Sequence, residues 1–167
     1  FWDGCDGMTV ENNYFENIYD TAMTNQGRGE GLVRNMAWRN NKVFRCEQAY
    51  EIWFSNPDLH VDGLSFTGNE CIDSGYGWGH AQRPNKNGCH LLAYTLECQI
   101  TDIRYEHNTF NNARDAHIWF FNPRLGEIQI NHNTYIQRCS TPHEAKLFRW
   151  LGVAKEGVTF SEYRDAT

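Results

Sequence analysis

One arrangement of apolar and polar positions recurs along the chain. It reads Φ-x-Φ-x-x-Asn-x-Φ, with Φ apolar or aromatic. "MTVENNYF" sets Met8, Val10, Asn13 and Phe15 in its slots, "MAWRNNKV" sets Met36, Trp38, Asn41 and Val43, and "LSFTGNEC" sets Leu64, Phe66, Asn69 and Cys71. "IRYEHNTF" and "IQINHNTY" repeat it around Asn108 and Asn133. Successive Asn residues lie 28, 28, 39 and 25 apart. A period in this range marks a repeat architecture, in which each unit buries its face by stacking on the next. Ile103-x-Tyr105 and Ile128-x-Ile130 alternate with polar residues, which is the period of a strand. The phrase therefore predicts a strand, a tight corner ending in Asn, and a second short strand starting at residues such as Phe110 or Tyr135. Asn tolerates the left-handed backbone such a corner needs. Stacking would bring successive Asn residues to about 4.8 Å, so their amides can bond from coil to coil as a ladder. The expected fold is all-β: a parallel β-helix of about five coils over residues 1–140, with 141–167 as a capping or connecting segment.

A third strand should follow each corner by eight or nine residues. "AMTNQG" from Ala22, "AYEIWF" from Ala49, "CHLLAY" from Cys89 and "AHIWFF" from Ala116 fill that place, each opening on a small residue. Aligned on that residue, Met23, Tyr50, His90 and His117 share one column. Thr24, Glu51, Leu91 and Ile118 share the next. Two parities are open. Small residues suit a crowded interior, and a His pair is costly in a dry one unless bonded, so Tyr50, His90 and His117 are expected to face outward. The alternative is that both His are satisfied structural residues. The third coil also carries an excursion, "DSGYGWGHAQRPNKNG", between Asp73 and Gly88. Loops carry function more often than cores do. Trp78, His80, Arg83 and Lys86 combine an aromatic plate with cations, a set suited to sugar rings; a solvated loop with its Trp packed on the solenoid is the other reading. Trp53 and Trp119 on the third strand add aromatic surface.

Charge changes the picture next. The chain has 15 Lys+Arg against 21 Asp+Glu, a net charge of −6, and no basic run. That disfavours nucleic acid, whose phosphates need clustered cations. No apolar run is long enough to span a membrane. No signal peptide is visible, yet the chain opens inside "FWDGCDGMTV", which suggests a fragment with further coils beyond it. Six Cys invite a disulfide reading. A bridge needs Cα atoms within about 7 Å, but Cys46 and Cys139 sit three coils apart, as do Cys5 and Cys98. All six are expected to be free, most of them as small buried hydrophobes. No CxxC or HExxH spacing marks a metal site.

The repeated phrase, over roughly residues 3–138, resembles the right-handed parallel β-helix superfamily that includes pectate lyases and many carbohydrate-active enzymes. "GYGWGHAQRPNKNGCHLLAY" is similar to a segment of bacterial β-helix repeat proteins, and "GVTFSEYRDAT" resembles a tail that in such proteins runs on into further sequence. The resemblance implies a right-handed solenoid and a polysaccharide or oligosaccharide partner along the third-strand face. It also implies a secreted or periplasmic setting. Its enzymes are lyases, which abstract a proton beside a uronate carboxylate and often use Ca²⁺, or hydrolases, which pair carboxylates. No cofactor is otherwise implied. The candidate catalytic residues are His90, His117, Tyr50 and Glu51. The candidate substrate-binding residues are Trp78, His80, Arg83, Lys86, Trp53 and Trp119. A non-catalytic reading stands beside these: a glycan-binding, adhesin or tailspike-like β-helix.

Overall fold

The computed structural model describes residues 4–121, 127–140, 145, 147–150 and 157–166. Fifteen strands form three five-stranded sheets. With strands numbered in chain order, the first sheet holds β1 (Thr9–Glu11), β4 (Gly31–Arg39), β7 (Leu59–Thr67), β10 (Gln99–Glu106) and β13 (Ile128–Asn131). The second holds β2 (Tyr14–Glu16), β5 (Lys42–Phe44), β8 (Glu70–Ser74), β11 (Thr109–Ala113) and β14 (Thr134–Ile136). The third holds β3 (Thr21–Gly27), β6 (Gln48–Phe54), β9 (Cys89–Leu96), β12 (Ala116–Phe120) and β15 (Phe148–Trp150). Each strand pairs in parallel with the strand three places on. The chain thus visits the three sheets in turn and stacks like on like.

The apolar slots explain the stacking. In the first sheet Trp38 lies opposite Phe66, and Phe66 opposite Tyr105. In the second, Phe15, Val43, Cys71, Phe110 and Tyr135 stand in one register line. These columns converge on a single buried core. Tyr50 stacks on Phe66 at 4.8 Å. Its hydroxyl donates to Asn25 Oδ1 at 2.7 Å, which also accepts from Trp38 Nε1 at 2.6 Å. These three polar atoms are thereby bonded to one another inside the core, as a dry interior favours.

The corner between the first two sheets carries the repeated Asn. Asn13 Nδ2 donates to Asn41 Oδ1, Asn41 to Asn69, Asn69 to Asn108 and Asn108 to Asn133, at 3.1, 3.1, 3.1 and 3.0 Å. Each Oδ1 also accepts the backbone N–H of the preceding Asn, as Asn108 does from Asn69 at 2.9 Å. The left-handed residue is not this Asn but the one before it: Asn12, Asn40, Gly68, His107 and His132 all have φ between 53° and 67°. The division of labour has a physical reason. The left-handed residue turns the chain, which leaves the next amide free to point along the stack.

The third sheet departs from expectation. Tyr50 lies opposite Leu91, and Leu91 opposite Ile118, so His90 and His117 stand one place earlier than Tyr50. The expected single column is two. Nor does either face outward: Tyr50, His90 and His117 are 1%, 0% and 2% exposed. The His rings stack on each other at 5.3 Å, and His90 stacks on Phe110 at 5.4 Å. Ser74 Oγ sits 2.8 Å from His90 Nδ1. Aromatic stacking and one hydrogen bond hold these rings inside, and burial keeps them neutral, pushing His90 well down and His117 to about 3. Cys89 and Ala116, expected inside, pack with Leu92 in a second cluster apart from the core.

The segment after residue 140 supplies β15, opposite β12. Phe148 is buried and stacks on Tyr163 at 4.4 Å, in the helix Phe160–Ala166. Lys146 lies outside the described residues. All six Cys are free thiols. Cys71 faces Val43 and Phe110, and Cys89 faces Gln48 and Ala116, so neither meets another Cys in register. Among the described residues no helix is long and apolar enough to cross a membrane.

Candidate functional site

The excursion after β8 is folded hard against the solenoid. Gly77 and Gly79 lie so close to the carbonyl oxygens of Arg45 and Tyr19 that a Cβ on either would collide. Between and beyond them runs α1 (Trp78–Gln82). His80 is buried, with Nδ1 at 3.1 Å from Glu47 Oε1, and Glu47 has no exposed side-chain surface. Glu47 Oε1 also accepts the Asn87 N–H at 2.8 Å, and Asp115 Oδ2 accepts the Gly88 N–H at 2.8 Å. Trp78 Nε1 donates to Asn17 O at 2.8 Å. His80 and Trp78, expected to bind substrate, also anchor the excursion to the wall.

That anchoring delivers Arg83 and Asn85 to the outer face of the third sheet. There a cavity of about 420 Å³ is lined by Asp20, Gln26, Glu51, Trp53, Arg83, Asn85, Tyr94 and Thr95. Arg83 forms an ion pair with Asp20 and donates through Nε to Asn85 O at 3.1 Å. Glu51 lies at the base. Its Oε2 accepts from Thr21 Oγ1 at 2.9 Å and Gln26 Nε2 at 3.3 Å. Burial raises its pKa from the ordinary value, against the lowering effect of the Thr21 hydrogen bond. Tyr94 is likewise pushed up to about 12 by burial, which leaves it a phenol at neutral pH. Trp53 and Tyr94 supply aromatic surface. Beyond the cleft on the same face, Tyr94 stacks on Phe121 at 5.2 Å, and Phe121 on Trp119 at 5.5 Å.

Of the residues singled out from the sequence, the structure brings Glu51, Trp53 and Arg83 together in this cleft. Trp119 lies further along its face. Lys86 is exposed and does not line the cleft, and Tyr50, His90 and His117 are sealed inside the solenoid. Gln26, Asn85, Tyr94 and Thr95 were missed. Tyr94 was hidden by the third sheet's irregular register: pairing shifts between Ile52 and Phe54, so Phe54 meets Leu96. Among the described residues no group of three His, Cys, Asp or Glu side chains could hold a metal ion. Neither family models nor curated proteins nor solved structures give a match to this chain.

Proposed function

We propose that the chain is part of a right-handed parallel β-helix of five coils, aligned by its Asn ladder, and that it hydrolyses a glycosidic bond of a polysaccharide in the Glu51 cleft. The observation that carries this is Glu51 itself. It is a carboxyl group made a weaker acid by burial, at the base of an open cleft walled by Trp53 and Tyr94. Hydrolysis needs a proton donor beside the leaving oxygen, and a carboxyl whose pKa is raised by burial is better suited to that than an ordinary one. Asp20, ion-paired with Arg83 at the same cleft, is the second carboxyl group that glycoside hydrolysis requires. Such a substrate fits a secreted or periplasmic protein.

The proton-abstracting route is less favoured, because His90, His117 and Tyr50, the bases expected for it, are buried. Incubation with a panel of polysaccharides tests the reading. New reducing ends without a rise in ultraviolet absorbance are expected, and Glu51→Gln should lower the rate by a factor of about 10² or more. An absorbance rise would report a lyase. Retention of a polysaccharide with no cleavage would leave the second reading, a glycan-binding β-helix, which the aromatic floor also favours.

A further inference from the structure

We infer that the cleft is one part of a longer glycan track, and that the exposed pair Tyr19 and Trp78 forms an outer subsite for a pyranose unit of the same chain. This rests on the polysaccharide reading above. Tyr19 and Trp78 are 39% and 49% exposed, and Ile18 and Tyr76 beside them are also exposed. The segments 17–19 and 76–78 are joined by the Trp78 Nε1 bond to Asn17 O and by the Tyr19–Trp78 ring contact at 5.1 Å, tilted at 40°. Apolar surface gathered in this way marks a contact site. Four side chains are too few for a stable protein interface, which needs about 1,000 Å². They suit the apolar C–H face of one sugar ring.

Continuity with the cleft identifies the occupant. Arg83 pairs with Asp20, which lines the cleft, and its guanidinium carbon lies 5.7 Å from the centre of the Tyr19 ring. Tyr19 and Asp20 are adjacent in the chain. A polymer leaving the cleft past Arg83 therefore meets the Tyr19–Trp78 ledge next. Both rings are held in place, Trp78 by its bond to Asn17 and Tyr19 between Arg83 and Trp78, so little freedom is lost when a sugar settles there.

Native gels cast with xyloglucan, arabinoxylan, mixed-linkage β-glucan, polygalacturonate or alginate would test this through retardation of the full chain. One polymer should retard the wild type. Tyr19→Ala and Trp78→Ala should each weaken that retardation by about tenfold, whereas Tyr14→Ala, an exposed ring elsewhere, should not change it. Trp53→Ala reports on the cleft separately. Loss in Trp53→Ala with wild-type retardation in both ledge variants would overturn the ledge and leave the cleft. Wild-type retardation in Trp53→Ala would overturn the cleft as the binding site and the track with it, and retardation by no polymer would overturn the polysaccharide reading as well. Should Trp78→Ala misfold for want of its bond to Asn17, Tyr19→Ala decides alone, since that ring is held by its contacts with Trp78 and Arg83. Self-association that Tyr19→Ala abolishes, seen by light scattering, would assign the ledge to a protein contact and overturn the proposal.

Discussion

At the scale of the residue, burial sets the behaviour of two titrating groups in opposite directions. His117 is held down to about 3 by desolvation, while in the unfolded chain it titrates near its ordinary 6.5. Between those values the unfolded state binds more protons, so stability is intact above pH 6.5 and falls as the pH drops. The loss can reach about 1.4 kcal/mol for each pH unit. His117→Phe keeps a ring against Tyr135 and Phe148 and removes the titration. Its midpoint of thermal unfolding should fall less than that of the wild type between pH 6.5 and pH 4; parallel curves would refute the assignment. Glu51 runs the other way. Its folded pKa is raised, so it costs stability as the pH climbs past the ordinary 4.5. Glu51→Gln should equal the wild type in acid and exceed it at neutral pH. Position and polarity of Glu51 were legible in the sequence, since it alternates with Tyr50 on a strand. Its burial was not, because the covering groups come from Thr21 and Gln26, a full coil away.

At the scale of the element, the two structural devices are the amide row and the anchored excursion. Asn108 accepts from Asn69 and donates to both Asn133 and Phe66 O, the last at 2.8 Å. Asn108→Ala strands buried partners on both sides and should cost about 1–3 kcal/mol in a denaturant titration. Asn13→Ala, at the exposed end of the row, should cost less; equal losses would mean that the row does not act through burial. The row was readable from spacing alone because backbone geometry repeats it at every coil. The excursion was readable only as an excess of residues. Its Trp and His also tie it to Asn17 and Glu47, positions 61 and 33 residues away, which spacing along the chain could not show. The glycines were the better guide. Gly77→Ala and Gly79→Ala would each drive a methyl group into a backbone carbonyl and should lower stability by about 1–3 kcal/mol. They should also loosen Arg83 and so weaken polysaccharide retention; retention unchanged in both would show that the excursion does not position the cleft.

At the scale of the whole molecule, no covalent bridge holds the coils together, and stability rests on contacts between neighbours. Solenoids of this kind can open coil by coil if neighbouring units are weakly coupled. Here the coupling is strong, because the amide row, the aromatic stacks of the core and the excursion each tie one coil to the next. The thiols report on this. Cys46, Cys71, Cys89 and Cys98 are all buried, whereas Cys139 is exposed. Burial also pushes the Cys46 thiol up to about 11, and Cys71 and Cys89 well above the ordinary range, which suppresses the reactive thiolate further. Alkylation of the native protein without reductant should modify Cys139 within minutes and leave those four untouched. With rising denaturant the four should then react together, at one midpoint shared with the loss of circular dichroism. Mass spectrometry of peptides at each step would read the order. Modification of Cys46 at a lower denaturant concentration than Cys89 and Cys98 would show the first strands of each sheet peeling away on their own, and the amide row would then be too weak to make the stacked sheets unfold as one.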